Sequence, residues 1–245
     1  MVRTLGWIAA GGLGVGVISL SLAYVTGDDA VHRLMNVGTS FASTCGSSGT
    51  PATLSERHLK WNGGDTIEIA LPATVRYRGG EGDEVIVRGA PDVIAHVEIR
   101  GDRLSLDCRN IARLREIEVV LPGQKFRRIG LAGSGKVLME NVNQPELALH
   151  VSGSGDLSVQ GKVDRATISI TGSGHARLAD LGMKEFTAKV AGSGNVEAAP
   201  TDLADISISG AGNVRLLTHP AQLRSHISGS GRITEAALGS ADTKK

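Results

Sequence analysis

Apolar and polar residues alternate along the second half of the chain, and a Gly-X-Gly triplet with a small central residue interrupts the alternation at regular intervals. Leu149 and Val151 stand two residues apart before one triplet, and Leu157 and Val159 stand two residues apart after it. Period-two alternation predicts a half-buried strand on each side of the triplet. The six triplets are Gly133 to Gly135, Gly153 to Gly155, Gly172 to Gly174, Gly192 to Gly194, Gly210 to Gly212 and Gly229 to Gly231.

The triplets define an internal repeat, because their first glycines are 20, 19, 20, 18 and 19 residues apart. Two short strands and a corner cannot enclose a core alone, but repeats stacked about 4.8 Å apart share one. The sequence therefore predicts an all-β solenoid. At each corner, we expect the glycines to be needed for a positive φ or for close approach of two backbones.

The central residue of the triplet is serine in five copies and Ala211 in the other, so the position requires a small side chain rather than a hydroxyl. No base stands beside these serines in the sequence, so we do not expect them to be nucleophiles.

Residues 56 to 127 continue the pattern less regularly. Short apolar-polar runs such as 66–71, 84–87 and 117–121 are separated by Gly-Gly, Gly-Asp and Pro-Gly pairs, which favour turns. Terminal repeats of a solenoid are usually atypical because they cap the core. We therefore expect one solenoid head over residues 56–238, followed by a polar tail at 239–245.

The first 27 residues differ from the rest of the chain. No charged residue occurs between Arg3 and Asp28, and residues 5–25 are apolar or small. As a helix this span could cross a bilayer core of about 30 Å, and its flanking charges place the N-terminus inside. We expect residues 1–27 to be a retained inner-membrane anchor with the head in the periplasm. The alternative is a signal segment cleaved near Ser21 to Ala23, which would release the head.

Residues 28–55 are rich in small polar residues and read as a flexible linker. Cys45 lies in this linker and Cys108 lies in the head. Outside the cytoplasm these two could form one disulfide, and two unpaired thiols are the alternative. No Cys-X-X-Cys pair predicts a metal site.

Composition and charge exclude one class of partner. The 33 glycines are the main anomaly, while 26 basic residues nearly balance 25 acidic ones. No basic stripe with interleaved aromatics occurs, so we do not expect nucleic-acid binding.

The strongest rival to a binding protein is a polysaccharide-active enzyme, because solenoids host such sites with clustered acids or bound calcium. The position after each triplet, however, carries one acid among amides and bases: Lys136, Asp156, His175, Asn195, Asn213 and Arg232. We therefore expect no catalytic residue, no cofactor and no metal. Asp156 and Asp180 are the acids most able to contradict this expectation.

A self-assembling envelope scaffold is a further alternative. Solenoids expose strand edges at their ends, so the protein could form a homo-oligomer. The charged tail would discourage end-on polymerisation.

Strands rich in Val, Ile and Leu, six Gly-X-Gly corners in register and a leading export segment resemble the family of the putative auto-transporter adhesin head GIN domain. The resemblance spans about residues 56–235. It implies a right-handed parallel β-helix in a bacterial envelope protein, with an adhesive role towards a surface glycan or protein. An auto-transporter would need a C-terminal membrane barrel, and the chain ends soon after its last repeat, so we do not expect autotransport.

The charges that flank residues 5–25 make a testable prediction about topology. A reporter enzyme fused after Lys245 should be active only outside the cytoplasmic membrane, because Arg3 stays inside and Asp28 with Asp29 is translocated. Activity of the same fusion in the cytoplasm would contradict export of the head.

Overall fold

The computed structural model describes residues 54–80, 82–107 and 117–236 in full, together with the backbone of 44–45 and 110–111. The chain is almost entirely β-structure. The elements in chain order are β1 (Thr44–Cys45), β2 (Ser55–Lys60), β3 (Thr66–Ala70), β4 (Thr74–Arg78), β5 (Glu84–Gly89), α1 (Pro91–Ile94), β6 (Val97–Arg100), β7 (Arg103–Leu106), β8 (Asn110–Ile111), β9 (Glu118–Val120), β10 (Arg128–Gly133), β11 (Lys136–Gly153), β12 (Asp156–Gly172), β13 (His175–Gly192), β14 (Asn195–Gly210), β15 (Asn213–Leu216), β16 (Gln222–Gly229) and β17 (Arg232–Glu235).

The predicted solenoid is confirmed, with about six turns. Each turn contributes one strand segment before a corner and one after it, and equivalent segments of successive turns pair in parallel. We call the two resulting surfaces the pre-corner sheet and the post-corner sheet. The pre-corner sheet contains β6, β7, β3, β10, the last eight or so residues of β11 to β14, and β16; the post-corner sheet contains β2, β5, β9, β4, the first residues of β11 to β14, β15 and β17.

The core lies between the two sheets and consists of stacked columns of apolar side chains. Because side chains alternate along a strand, residues in register across parallel strands point to the same side. The column four residues before each corner shows the result, since its members are almost fully inaccessible until the last turn. It reads Ile67, Ile129, Leu149, Ile168, Ala188, Ile206 and Ser225.

The two glycines of a corner are required for different reasons. The first glycine has a positive φ, between +98° and +125° in the six copies, and at Gly172 a Cβ would also stand 2.5 Å from the carbonyl oxygen of Gly153 in the preceding turn. The second glycine is not in a positive-φ conformation. At Gly174 a Cβ would stand 2.6 Å from Val151 Cγ1 and 2.9 Å from the oxygen of Gly155, so close stacking alone excludes a side chain.

One further corner lacks glycine. Leu71, Pro72 and Ala73 are in register with the first triplet, because Ile69 pairs with Leu131 and Thr74 pairs with Lys136. Leu71 and Ala73 are buried. The region that the sequence assigned only to irregular strands therefore supplies a regular turn.

Antiparallel strands close the N-terminal end of the solenoid. β2 pairs with β5, and β6 pairs with β7, in antiparallel fashion. The short helix α1 lies between β5 and β6, and Arg57 Nη1 donates hydrogen bonds to the carbonyl oxygens of Ile94, Ala95 and Val97 at its end. Terminal capping at this end was expected from the sequence, although its form was not.

Several sequence predictions fall on residues that the structure does not describe. They are the anchor or signal segment at 1–27, most of the linker at 28–55 and the tail at 239–245. Among the described residues, no helix is both long enough and apolar enough to cross a membrane. The side chains of Cys45 and Cys108 also lie outside the described residues, although β1 pairs with β8 so that Cys45 stands opposite Ile111. The disulfide stays a prediction.

The corner geometry predicts that Gly172→Ala destabilises the head by about 1 to 3 kcal/mol, because alanine would adopt a strained positive φ and its methyl would overlap the backbone of the preceding turn. Gly182 lies in the same turn but is exposed, and a Cβ there would be 3.7 Å from its nearest neighbour, the oxygen of Gly161. Gly182→Ala is therefore the matched control. Equal melting temperatures for the two variants would contradict the proposed role of the corner glycine.

Candidate contact surface

The outer side of the pre-corner sheet carries three parallel columns of mostly short polar side chains. Seven strands contribute to each of the first two columns, so each column extends about 29 Å at a strand spacing of about 4.8 Å. The first reads Thr66, Arg128, Ala148, Thr167, Thr187, Asp205 and Arg224, and the second reads Glu68, Gly130, His150, Ser169, Lys189, Ser207 and His226. The third reads Ala132, Ser152, Thr171, Ala191, Ser209 and Ser228.

Most polar side chains of this surface are free to bind something else. Within the described part of the chain, the hydroxyls of Ser152, Thr167, Ser169 and Ser207 and the ammonium group of Lys189 make no side-chain hydrogen bond or ion pair. Their donors and acceptors point outward because the alternating residues of the same strands fill the core. We call this array the polar face.

On the outer side of the post-corner sheet, some polar side chains of one column bond to one another. The predicted column after the corners is confirmed by the strand register, with Thr74 added at its start. Asn213 Nδ2 donates to Asn195 Oδ1 at 3.0 Å, and Asn195 Nδ2 lies 3.1 Å from His175 Nδ1. This amide ladder uses part of the hydrogen-bonding capacity of its members within the sheet.

The histidine predictions can be compared with the register. His150 and His226 do occupy one column, four turns apart, which is about 19 Å, so they cannot share a metal ion. Asp156 and His175 lie on adjacent turns, but the hydrogen bond recorded for the His175 ring is the one to Asn195. The geometry does not form a catalytic dyad from this pair.

A ladder of alternating charges borders the polar face where the pre-corner strands begin. Arg165 lies between two carboxylates, with Nη1 2.9 Å from Glu146 and Nε 2.8 Å from Glu185. These bonds, chiefly the one to Glu185, raise the pKa of the Arg165 guanidinium. Arg127 extends the ladder, at 3.7 Å from both Asp65 and Glu146.

A groove of about 270 Å³ lies beside this ladder. It is lined by Asp65, Thr66, Arg127, Arg128, Glu146 and Arg165, among others. Arg128 has no ion-pair partner among the residues that the structure describes. The groove therefore offers one uncommitted guanidinium at the edge of the polar face, a feature that sequence spacing did not indicate.

A second charged network lies on the post-corner sheet near the N-terminal end. His58 contacts Glu84 through Nδ1 at 2.8 Å and Glu56 through Nε2 at 2.9 Å. Glu56 also pairs with Arg88 at 2.6 Å, and Glu118 pairs with Arg76 at 2.6 Å. The Arg88 hydrogen bond lowers the pKa of Glu56, and the hydrogen bonds to Glu84 and then Glu56 raise the pKa of His58.

The head has no exposed aromatic platform among its described residues. Trp61, Tyr77, Phe126 and Phe186 are all buried. The first three, which the sequence placed at unrelated positions, form one cluster, with ring centroids 5.7 Å apart for Trp61 and Phe126 and 5.9 Å apart for Tyr77 and Phe126. The aromatic residues stabilise the core rather than stack on a sugar.

The remaining candidates for chemistry are not brought together. Ser134, Ser154, Ser173, Ser193 and Ser230 are exposed on the corner ridge. Asp156 lies in the column after the corners, whereas Asp180 lies beyond the regular part of that strand pairing. In the described ranges, no group of three or more His, Cys, Asp or Glu side chains could hold a metal ion.

The sequence analysis missed both the charge ladder and the His58 network. Register in the repeat could have indicated one part, since Glu146, Arg165 and Glu185 are spaced by one turn each. No repeat relates Glu56, His58 and Glu84, so only the three-dimensional structure shows that contact.

Comparison with known proteins gives a family and a fold. Residues 65–220 match the model of the family described as putative auto-transporter adhesin, head GIN domain. A solved structure of a putative adhesin from Bacteroides fragilis is similar with a TM-score of 0.62 at 17% identity, over 75% of this chain and 97% of that one. At that identity the likeness shows the fold alone.

Two other solved structures are less similar. One is a putative lipid binding protein from Parabacteroides distasonis, with a TM-score of 0.48 and 19% identity over 76% of this chain and 98% of that one. The other is a putative adhesin from Parabacteroides merdae, with a TM-score of 0.44 and 17% identity over 76% and 97%. None of the curated proteins matches this chain.

The two carboxylates around His58 predict that its imidazole titrates above the usual value of about 6.5. The folded-state pKa is raised, so this stabilisation is present below the unfolded pKa and is lost as the pH rises through the folded pKa. Glu84→Gln should lower the pKa of His58 in an NMR titration, because it removes the larger cause. Glu197→Gln, several strands away on the same sheet, should not change it; a His58 pKa unaffected by Glu84→Gln would contradict the contact.

Proposed function

Because the chain belongs to the family of the putative auto-transporter adhesin head GIN domain, we propose that it is an exported, non-catalytic envelope protein that presents its polar face for adhesion. Residues 5–25 anchor it in the inner membrane and place the head in the periplasm, with cleavage near Ser21 to Ala23 as the alternative. For the handedness of the solenoid, the general preference of crossovers between parallel strands favours a right-handed β-helix.

The observation that carries this proposal is the free hydrogen-bonding capacity of the polar face. Its central side chains, such as Ser169 and Lys189, bond to no other side chain in the described structure, whereas Asn195 and Asn213 on the opposite sheet bond within their own column. A ligand that supplies many hydroxyl groups matches such a surface. We therefore favour a glycan as the ligand.

A protein ligand fits this face less well. Protein interfaces bury an apolar or aromatic centre, and the large apolar side chains exposed in the described residues are Leu54, Leu223 and Ile227, at the two ends of the head. The face itself has none. Without an aromatic platform each glycan contact is weak, so useful attachment depends on many heads acting together.

The charged groups near the face support binding rather than turnover. Glu146 and Glu185 both contact Arg165, so neither is a free carboxylate poised as an acid or a base. The acids of the polar face, Glu68 and Asp205, stand in different columns and several turns apart. No pair resembles the two facing carboxylates of a glycosidase.

The test uses the full chain in lipid vesicles, applied at low and high surface density to glycan and protein arrays. We expect retention on glycans that increases steeply with density, and no cleavage of the glycan with or without Ca²⁺. Ser169→Glu, in the middle of the polar face, should reduce binding by about tenfold or more, since about 1.4 kcal/mol lost per site gives that factor.

Ser158→Glu is the matched control, because Ser158 is a half-buried outward serine on the other sheet. Equal loss in both variants, or binding to proteins alone, would overturn the assignment of the polar face to glycans. Glycan cleavage that Asp156→Asn or Asp180→Asn abolishes in a folded protein would show an enzyme instead.

A further inference from the structure

The C-terminal end of the solenoid exposes a long strand edge. β16 pairs with β14 on one side, and among the described residues no strand pairs with its other side. All eight residues of β16 are exposed, although three of them, Leu223, Ser225 and Ile227, stand in the inward register of the core. Leu223 is 38% exposed and Ile227 is 42% exposed.

The opposite end is protected against strand addition. Its outermost pre-corner strand, β6, has four residues and carries the Glu98–Arg100 ion pair at 2.8 Å. The outermost post-corner strand, β2, is antiparallel to its neighbour and carries Glu56, His58 and Lys60. Short strands and edge charges are the usual protection against pairing with another chain. Because only one of the two solenoid ends is open, two copies can form a closed dimer but cannot extend into a fibre.

We infer that two copies of the protein associate end to end by antiparallel pairing of β16 with the β16 of the partner subunit. When Ser225 pairs with Ser225 of the partner subunit, the residues that face the core in each copy lie on the same side of the joined sheet. Leu223 then lies opposite Ile227 of the partner subunit, and Ser225 lies opposite the partner's Ser225. The exposed apolar side chains of both copies become mutual partners.

Charge and polarity on the rest of the end are compatible with this register. Arg224 lies opposite the partner's His226 rather than opposite a second arginine, and Gln222 lies opposite the partner's Ser228. Glu235, which occupies an inward position of β17, is hydrogen-bonded to His219 at 2.6 Å, so its carboxylate has a partner within the same copy. The two polar faces become one continuous sheet of roughly double length.

A second copy of this chain is favoured over another protein as the partner, because β16 is complementary to itself in the antiparallel orientation. An unrelated strand could pair with the backbone of β16, but its apolar residues would have to fit the spacing of Leu223 and Ile227. The strand itself supplies that spacing when it is reversed. The inference does not depend on the ligand of the polar face.

The test is a disulfide across the two-fold axis. In the full chain in its membrane, Ser225→Cys should give a covalent dimer on mild oxidation, because directly opposed residues have Cβ atoms about 4.5 to 5.5 Å apart. The linkage is identified as tryptic peptide 225–232 joined to a second copy of itself, which excludes Cys45 and Cys108. Ser228→Cys lies in the same peptide, but its two copies would be about 20 Å apart in this register, so it should not link.

A second variant tests the interface itself. Ile227→Lys in the Ser225→Cys chain should abolish the dimer and leave the single copy folded, with an unchanged circular dichroism spectrum, because Ile227 is 42% exposed in the single copy. Ser154→Lys, on the exposed corner ridge, should leave the dimer unchanged. Linkage of both cysteine variants, linkage of neither, or coverage of the end by residues 237–245 in a monomer would each overturn the inference.

Discussion

The close stacking of backbones at the corners is the constraint on which the rest of the molecule depends. At the second glycine of each triplet, the carbonyl oxygen of the preceding turn and an inward side chain occupy the space of a Cβ. Because this contact recurs at every turn, it fixes the strand register, and the register fixes which side chains form the core columns and which form the outer faces. Corner, core and surface are therefore consequences of one spacing.

The sequence predicts the regular part of this fold well because the corner has a visible signature there. It could not assign the turn that contains Leu71, Pro72 and Ala73, since no glycine marks it and only its pairing with the first triplet reveals it. The cluster of Trp61, Tyr77 and Phe126 was missed for a related reason. Tyr77 lies on β4, in the turn that no triplet marks, and Trp61 and Phe126 lie outside the strands. The loop that carries Phe126 is held by Gln144, whose Nε2 donates to the Phe126 oxygen at 2.8 Å.

For the candidate surface, the sequence predicts which residues share a column but not which of them bond to each other. Outward columns follow from register, so the separation of His150 from His226 and the mixed column from Lys136 to Arg232 could be read from spacing alone. Whether neighbours in a column bond to each other could not be read in this way. Asn195 and Asn213 do, while Ser169 does not, because a short hydroxyl reaches less far across a strand spacing than an amide does. The difference between the two sheets therefore appears only in the structure.

The same constraint explains why the polar face has few distinctive residues. A solenoid needs small side chains at its corners and apolar ones inside, but any soluble residue satisfies an outward position. In the proposed function, specificity comes chiefly from charged outward side chains such as Arg128 and Lys189, whose spacing along the axis is set by the stacked turns. Arg128 and Lys189 lie three turns apart, about 14 Å. A ligand that contacts both must therefore be extended, and this favours a polymer over a small molecule.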